Sequence, residues 1–331
     1  MLITARNTLA LLLVTAAAHT ALAQTQAPAA PASTPAQPAP KPTEPSKPEP
    51  LPTYTQTMPV SRYQLTFVKI PAQVETVERT RPGTRGDEPG GTIVAEQTTV
   101  ETFYLSTTEV TWDCLDPFVY RLDLENPDAE VDATTRPSKP YIPPDRGFGH
   151  ENFPAISITF RTADAYCQWL TEKTGLKFRL PTDQQWEHAA TATREPHLIT
   201  DLTKAQIDAL AWHEGNAEGQ THAVKSRQPN PWGLYDMLGN AGEWTTASDN
   251  TPRLRGGSYK TPLDKLTISL SEKQDPSWNA SDPQIPKSKW WLPDAPFTGF
   301  RLILECDPKT GEPLKAKPDA TPDTKPTAPS K

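Results

Sequence analysis

The side chains in this sequence best suited to nucleophilic or metal chemistry are Cys114, Cys167 and Cys306, the histidines His188, His213 and His222, and Ser258 in Arg255-Gly-Gly-Ser258. A thiolate is a strong nucleophile and a soft metal ligand, but the cysteines form no Cys-x-x-Cys pair. The sequence also holds no Gly-x-Ser-x-Gly elbow and no His-Glu-x-x-His helix. A buried free cysteine packs as a small hydrophobe, and that is one expectation for Cys167. Ser258 has no basic partner in view and reads as a turn serine. The three histidines are separated by 25 and 9 residues, with Glu187 and Glu214 beside them. Those spacings match no metal-ligand pattern, so surface or hydrogen-bonded histidines are expected.

What positions these residues depends on which part of the chain can fold. The 331 residues include 38 prolines, and proline removes a backbone donor and is kept out of helix interiors and central strands. One uniform globular domain is therefore not expected. With 16 glycines and no Gly-X-Y period, collagen is excluded. The balance of 33 basic against 40 acidic residues, net −7, lacks the basic excess of a nucleic-acid binder. Residues 24–53 hold 10 prolines in 30, and 307–331 hold six in 25 with Leu314 the one sizeable apolar side chain. Neither stretch buries enough apolar surface to offset its ordering entropy, so both are expected to be extended, solvated arms. All nine tryptophans fall between Trp112 and Trp291, which leaves 54–306 as the folded part.

Residues 1–23 read as a secretory signal peptide, with Arg6, an apolar run from Leu9 to Ala18 and the small-x-small site Ala21-Leu22-Ala23. That run is too short to cross a bilayer, which takes about 20 residues. The expectation is an exported protein, periplasmic, cell-surface or secreted, not integral to the membrane, in a compartment that permits disulfides.

Within the folded part, Tyr63–Ile70 and Thr99–Leu105 have strand composition, and 81–91 is a Gly/Pro loop. Helices are expected over Thr111–Leu122 and Thr162–Lys173, the latter stopped at Gly175. Thr182-Asp-Gln-Gln185 is a capping box that opens a third helix through Ala190, and Thr203–Trp212 repeats the pattern. Beyond Glu214 the sequence consists of turns and short strands. The class is α+β with few long elements. Trp278, Trp290 and Trp291 either line a groove or pack in the core.

Several ordered segments resemble the formylglycine-generating enzyme, or sulfatase-modifying factor, family. They are Thr108-Glu-Val-Thr111, Pro154-Ala-Ile-Ser157, Asp164-Ala-Tyr-Cys-Gln-Trp169, Arg179-Leu-Pro-Thr-Asp-Gln-Gln-Trp-Glu187, Pro229 to Trp244, Arg255-Gly-Gly-Ser258 and Gly299-Phe-Arg301. The resemblance implies a loop-rich variant of the C-type-lectin-like fold. It also implies, for catalytic members, oxidation of a substrate cysteine with copper held by two cysteines. Here those positions are Thr261 and Leu266; neither supplies the thiolate that selects Cu(I), so no copper and no formylglycine chemistry are expected. Gly242 replaces a family tryptophan, which removes one wall of the usual substrate groove. The resemblance further allows Cys167 to pair with a cysteine after Gly-Phe-Arg, and Cys306 is the candidate. It implies a structural calcium held by Asp236, the carbonyls of Gly239 and Ala241, and Glu243, with the backbone turned at Gly239-Asn240 and Gly242. Calcium takes six to eight hard oxygens in irregular geometry, which suits that set. The family's other calcium loop is not recognisable around Asn216–His222. Three functions stay open: a calcium-stapled, non-catalytic binding or scaffold module for an exported protein or envelope polymer; an oxidase or tailoring enzyme using non-cysteine chemistry on exported peptides; and an accessory factor that binds sulfatases.

Overall fold

Three of the four helices begin at a threonine whose hydroxyl accepts an amide proton that the first helical turn leaves unpaired. Among the described residues the helices are α1 Trp112–Val119, α2 Phe160–Thr174, α3 Asp183–Thr191 and α4 Lys204–Leu210, and Thr159 opens α2 by accepting from the amide of Thr162. Full capping boxes stand at Thr182/Gln185 and Thr203/Gln206, as the sequence predicts. Gly175, at φ 70°, ends α2 in the left-handed conformation that glycine adopts without strain. The first helix is shorter than expected and stops at Val119, two residues past Pro117.

The computed structural model describes residues 50–81, 92–125, 135–138, 140, 143–192 and 203–316, all within one compact unit, Pro48–Lys331. The expected signal peptide, nearly all of the first proline-rich arm and residues 317–331 lie outside the described residues. So does most of the 81–91 loop.

The strands are β1 Thr53–Thr57, β2 Gln64–Ile70, β3 Gln73–Arg81, β4 Thr92–Val100, β5 Phe103–Ser106, β6 Phe178–Arg179, β7 Gly242–Thr246, β8 Pro252–Arg255, β9 Ser271–Glu272, β10 Thr298–Gly299 and β11 Ile303–Leu304. They form a five-stranded sheet β1-β2-β5-β11-β6, a four-stranded sheet β10-β7-β8-β9 and the hairpin β3-β4. The stretch expected as one strand over Thr99–Leu105 is divided: Val100 ends the hairpin, and Phe103 starts a strand of the larger sheet.

Side chains alternate across a strand, and the larger sheet uses both faces. Phe67, Tyr104 and Leu304 enter one apolar core with Trp112, Tyr166, Trp169, Trp244 and Phe300. Their neighbours Val68, Leu105 and Ile303 enter a second core with Trp186, Leu234 and Leu266.

The domain also runs past the expected boundary at 306. The amides of Lys309 and Thr310 donate to the Asp307 carboxylate, and Leu314 donates its amide to Glu305 O at 2.8 Å. The Lys177 amide donates to Leu314 O, and Ala316 to Gly175 O. Apolar content said nothing about this segment because backbone hydrogen bonds hold it.

Candidate functional site

The segment Asp236–Glu243 coils because three of its residues adopt left-handed φ: Asp236 at 55°, Gly239 at 75° and Asn240 at 53°. Gly239 is irreplaceable on two counts, since a Cβ there would also stand 2.0 Å from Trp212 O. Asn240 ties neighbouring loops together. Its side-chain amide donates to His222 O and to Glu109 Oε1, its carbonyl oxygen accepts from the His222 amide, and its backbone amide donates to Trp212 O.

Four charged side chains meet around this coil, all essentially buried: Glu109, Asp236, Glu243 and Arg301. Arg301 donates from Nε to Glu243 Oε2 and from Nη2 to Glu243 Oε1, both at 2.6 Å. Nη1 also donates to Ser106 O and Nη2 to Tyr235 O, both at 2.9 Å. Trp186 Nε1 also donates to Glu243 Oε2 at 2.6 Å. The residue expected to end a calcium loop is thus the buried partner of an arginine, with both oxygens engaged. Asp236 Oδ2 accepts from the Lys225 amide, while Oδ1 is buried and accepts nothing; Glu109 Oε2 is in the same state. Burial pushes the Asp236 carboxyl up to about 6, with the nearby Glu243 charge adding to the rise. It lifts Glu109 well above the ordinary range, assisted by Asp236 and Glu243. Burial opposes the charge on Arg301, yet Glu243 outweighs it and holds the guanidinium protonated.

Three buried carboxylates therefore face one buried guanidinium, and two carboxylate oxygens lack a donor. That imbalance fits a hard divalent cation, with free oxygens on Asp236 and Glu109 rather than on Glu243. Among the described residues no set of three or more His, Cys, Asp or Glu side chains converges as a metal cluster, so such an ion would also need backbone carbonyls such as those of Gly239 and Ala241.

The turn after β8 settles what occupies the two positions where the resemblance places copper thiolates. Thr261 Oγ1 accepts from the Ser258 amide at 2.9 Å, and Leu266 is buried in the second core. Both approach Gly257, where a Cβ would stand 2.7 Å from Leu266 Cδ1 and 3.0 Å from Thr261 Oγ1. A hydroxyl held in a turn and a packed alkyl group do not fit Cu(I). Ser258 Oγ accepts from the Lys260 amide, as a turn serine does. Gly242 is closely packed. A Cβ there would meet Leu254 Cδ2 at 2.7 Å, so Leu254 fills the space.

Cys114, Cys167 and Cys306 are all free and buried. The Cys167–Cys306 disulfide is not formed: both thiols are free within the same apolar core, and Cys306 Sγ lies 3.4 Å from Thr102 O. Burial raises all three thiols, Cys114 to about 11, which makes them poor nucleophiles. The histidines do not assemble either. His188 Nε2 donates to Pro71 O, His213 Nε2 lies 2.7 Å from Asp208 Oδ1, and His222 Nε2 donates to Ala217 O while its ring stacks on Trp212. Glu187 pairs with Arg255. Trp290 and Trp291 are buried, and Trp278 is half-buried against Trp244 and Phe297. Glu109 and Arg301 are the site residues that sequence reasoning did not single out, although both lie inside motifs that carried the resemblance.

This arrangement is that of a loop-rich α+β domain organised around a buried arginine–carboxylate hub. The model of the sulfatase-modifying factor enzyme 1-like domain matches residues 71–285, and the chain belongs to that family. It is 32% identical over 122 residues to "Inactive C-alpha-formylglycine-generating enzyme 2" of Bos taurus, covering 32% of this chain and 38% of that protein. It is likewise 32% identical over 108 residues to "Formylglycine-generating enzyme" of Streptomyces coelicolor, covering 29% and 32%. The chain spans less than half the length of such curated relatives. Among solved structures, PvdO from Pseudomonas aeruginosa superimposes with a TM-score of 0.50 at 22% identity, over 73% of this chain and 94% of that one; this likeness concerns the fold. Among the described residues, no helix is long and apolar enough to cross a membrane.

Proposed function

We propose that this chain is an exported, non-catalytic binding or scaffold module of the sulfatase-modifying factor family. One observation carries the proposal: the positions expected to hold a copper-binding thiolate pair hold a hydrogen-bonded Thr261 and a buried Leu266. The relatives include proteins named "Formylglycine-generating enzyme" and "Inactive C-alpha-formylglycine-generating enzyme 2", so the names alone do not carry the reading, and Thr261 and Leu266 are what support it. Calcium has a structural role in this reading. Asp236 and the carbonyls of Gly239 and Ala241 would hold the ion, the free oxygen of Glu109 would add to them, and Glu243 serves Arg301 instead. The partner is an exported protein or an envelope polymer.

The test supplies the purified chain with copper, oxygen and a cysteine-containing peptide, then reads the peptide by mass spectrometry. No conversion to the aldehyde is expected; catalytic turnover would sink the proposal. Elemental analysis of the same preparation should give about one calcium per chain and no stoichiometric copper or iron.

A further inference from the structure

Away from the hub, the segment from Trp278 to Trp291 carries an exposed apolar side chain beside a mostly apolar cavity. Ile285 is 99% exposed, the highest value of any large hydrophobic side chain among the described residues. A lone apolar side chain on a surface needs no explanation, but this one is held out by a hydrogen-bonded loop. Lys287 Nζ donates to the carbonyls of Asn279 and Ala280 at 2.6 and 2.5 Å, and Asn279 Nδ2 donates to Ser288 O at 3.0 Å. Asp282 accepts from the amides of Gln284 and Ser288 at 3.0 and 2.6 Å. Asp294 accepts from the amide and hydroxyl of Ser281 at 2.7 and 2.6 Å. The loop is therefore fixed on both sides of Ile285, and little ordering remains to oppose a contact there.

The same loop walls a cavity of about 60 Å³. Pro283, Gln284 and Ser288 line it together with Pro140, Trp291 and Pro293, and Ile285 itself is not in its wall. The polar groups around it are already engaged. Arg146 donates to Ser157 Oγ and to Pro293 O, with Asp294 as its nearby counter-charge. Trp291 Nε1 donates to Ser138 O at 2.9 Å, and Asp282 is held by the two amides of the loop. Such a cavity suits an apolar group, not an ion. One water needs roughly 10–15 Å³, so the space holds about four to six groups of that size, enough for the roughly four carbons of an isoleucine side chain.

We propose that this face pairs two copies of the chain, the Ile285 side chain of each seated in the cavity of the other. Knob and cavity share one loop, so one two-fold axis satisfies both at once, and the contact closes at two copies instead of running on into a fibre. Isoleucine, proline and tryptophan surfaces leave water together when it forms. The pairing goes beyond the binding-module reading and does not depend on it. Sedimentation velocity of the full chain from about 1 μM to 1 mM should show a monomer–dimer equilibrium. Ile285→Asp should weaken dimerisation at least about a hundredfold, because two buried isoleucines are lost per dimer. It should leave the melting temperature of the dilute monomer unchanged, since that side chain packs against nothing there. Ser138→Phe, which blocks the cavity and keeps Ile285, should weaken dimerisation likewise. A mixture of the two variants should recover a heterodimer, because the Ile285 of the Ser138→Phe copy meets the open cavity of the Ile285→Asp copy. A chain monomeric throughout, a ladder of higher oligomers, or Ile285→Asp pairing as tightly as the unsubstituted protein would each overturn the proposal. Uptake of N-acetylisoleucine amide by a chain that stays monomeric would also overturn it, and would assign the cavity to a foreign aliphatic side chain. None of these results touches the binding-module reading, which fails only if the chain turns over a peptide.

Discussion

Replacing Arg301 with methionine probes the hub directly. Arg301 makes two 2.6 Å contacts to Glu243 and two at 2.9 Å to the carbonyls of Ser106 and Tyr235. Methionine fills much of the volume but strands Glu243 beside Glu109 and Asp236. Removing one partner of a buried pair typically costs about 3–5 kcal/mol, a large share of the roughly 5–15 kcal/mol that holds a domain folded. With a urea m-value of about 2–3 kcal/mol/M, the unfolding midpoint should fall by on the order of 1–2 M. Glu243→Gln should cost less, because Arg301 then still faces two carboxylates. In the double variant Arg301→Met/Glu243→Gln no charge is stranded by the loss of its partner, so it should be more stable than Arg301→Met alone. Urea curves for the three variants with unchanged slope decide the point. A loss below about 1 kcal/mol for Arg301→Met, or a double variant as unstable as the sum of the singles, would refute the account of Arg301 as the hub's essential counter-charge.

Four further outcomes follow from the same structure. A chelator should lower the melting temperature of the unsubstituted chain, and Asp236→Asn should abolish that calcium-dependent shift, as scanning calorimetry would read. Without reductant, a thiol reagent should find little reactivity in the native protein and three thiols after denaturation, because all three cysteines are free and buried; one thiol would mean a disulfide. Burial alone would lower the His150 pKa, but Asp116 and Asp145 hold it above 6.5. Its contribution to stability is therefore complete below pH 6.5 and lost as pH rises through the higher folded value; His150→Gln should flatten that slope in urea titrations. Gly239→Ala should destabilise by at least about 2 kcal/mol, since it combines a left-handed φ with a backbone clash, measured as a shift in the urea midpoint.

Local signals carried the parts of this fold that are local. Thr182 and Thr203 announce helices because a cap and its partner lie three residues apart, and Gly175 ends α2 for reasons confined to one residue. The coil at 236–243 was legible for the same reason, although its turn uses Asp236 where Gly242 was expected. The hub was not, because Arg301 and Glu243 are 58 residues apart in sequence and Asn240 and Glu109 are 131 apart. No periodicity encodes such a pairing. At Glu243 the sequence shows that a carboxylate is present, and only the fold shows that a guanidinium reaches it. Val100 and Phe103 look continuous in composition, yet the chain changes sheets between them.

A domain with few long ladders must satisfy many backbone groups through side chains, and the central turns do so. Asn240, Trp186 and Arg301 secure the coil, while Thr261 secures the Gly256-Gly257 turn, whose φ values are 81° and 66°. At that second turn Leu266 packs against Gly257, where a thiolate pair would need open coordination space. Within the coil, the unpartnered oxygens of buried Asp236 and Glu109 are where the proposed structural calcium would be held.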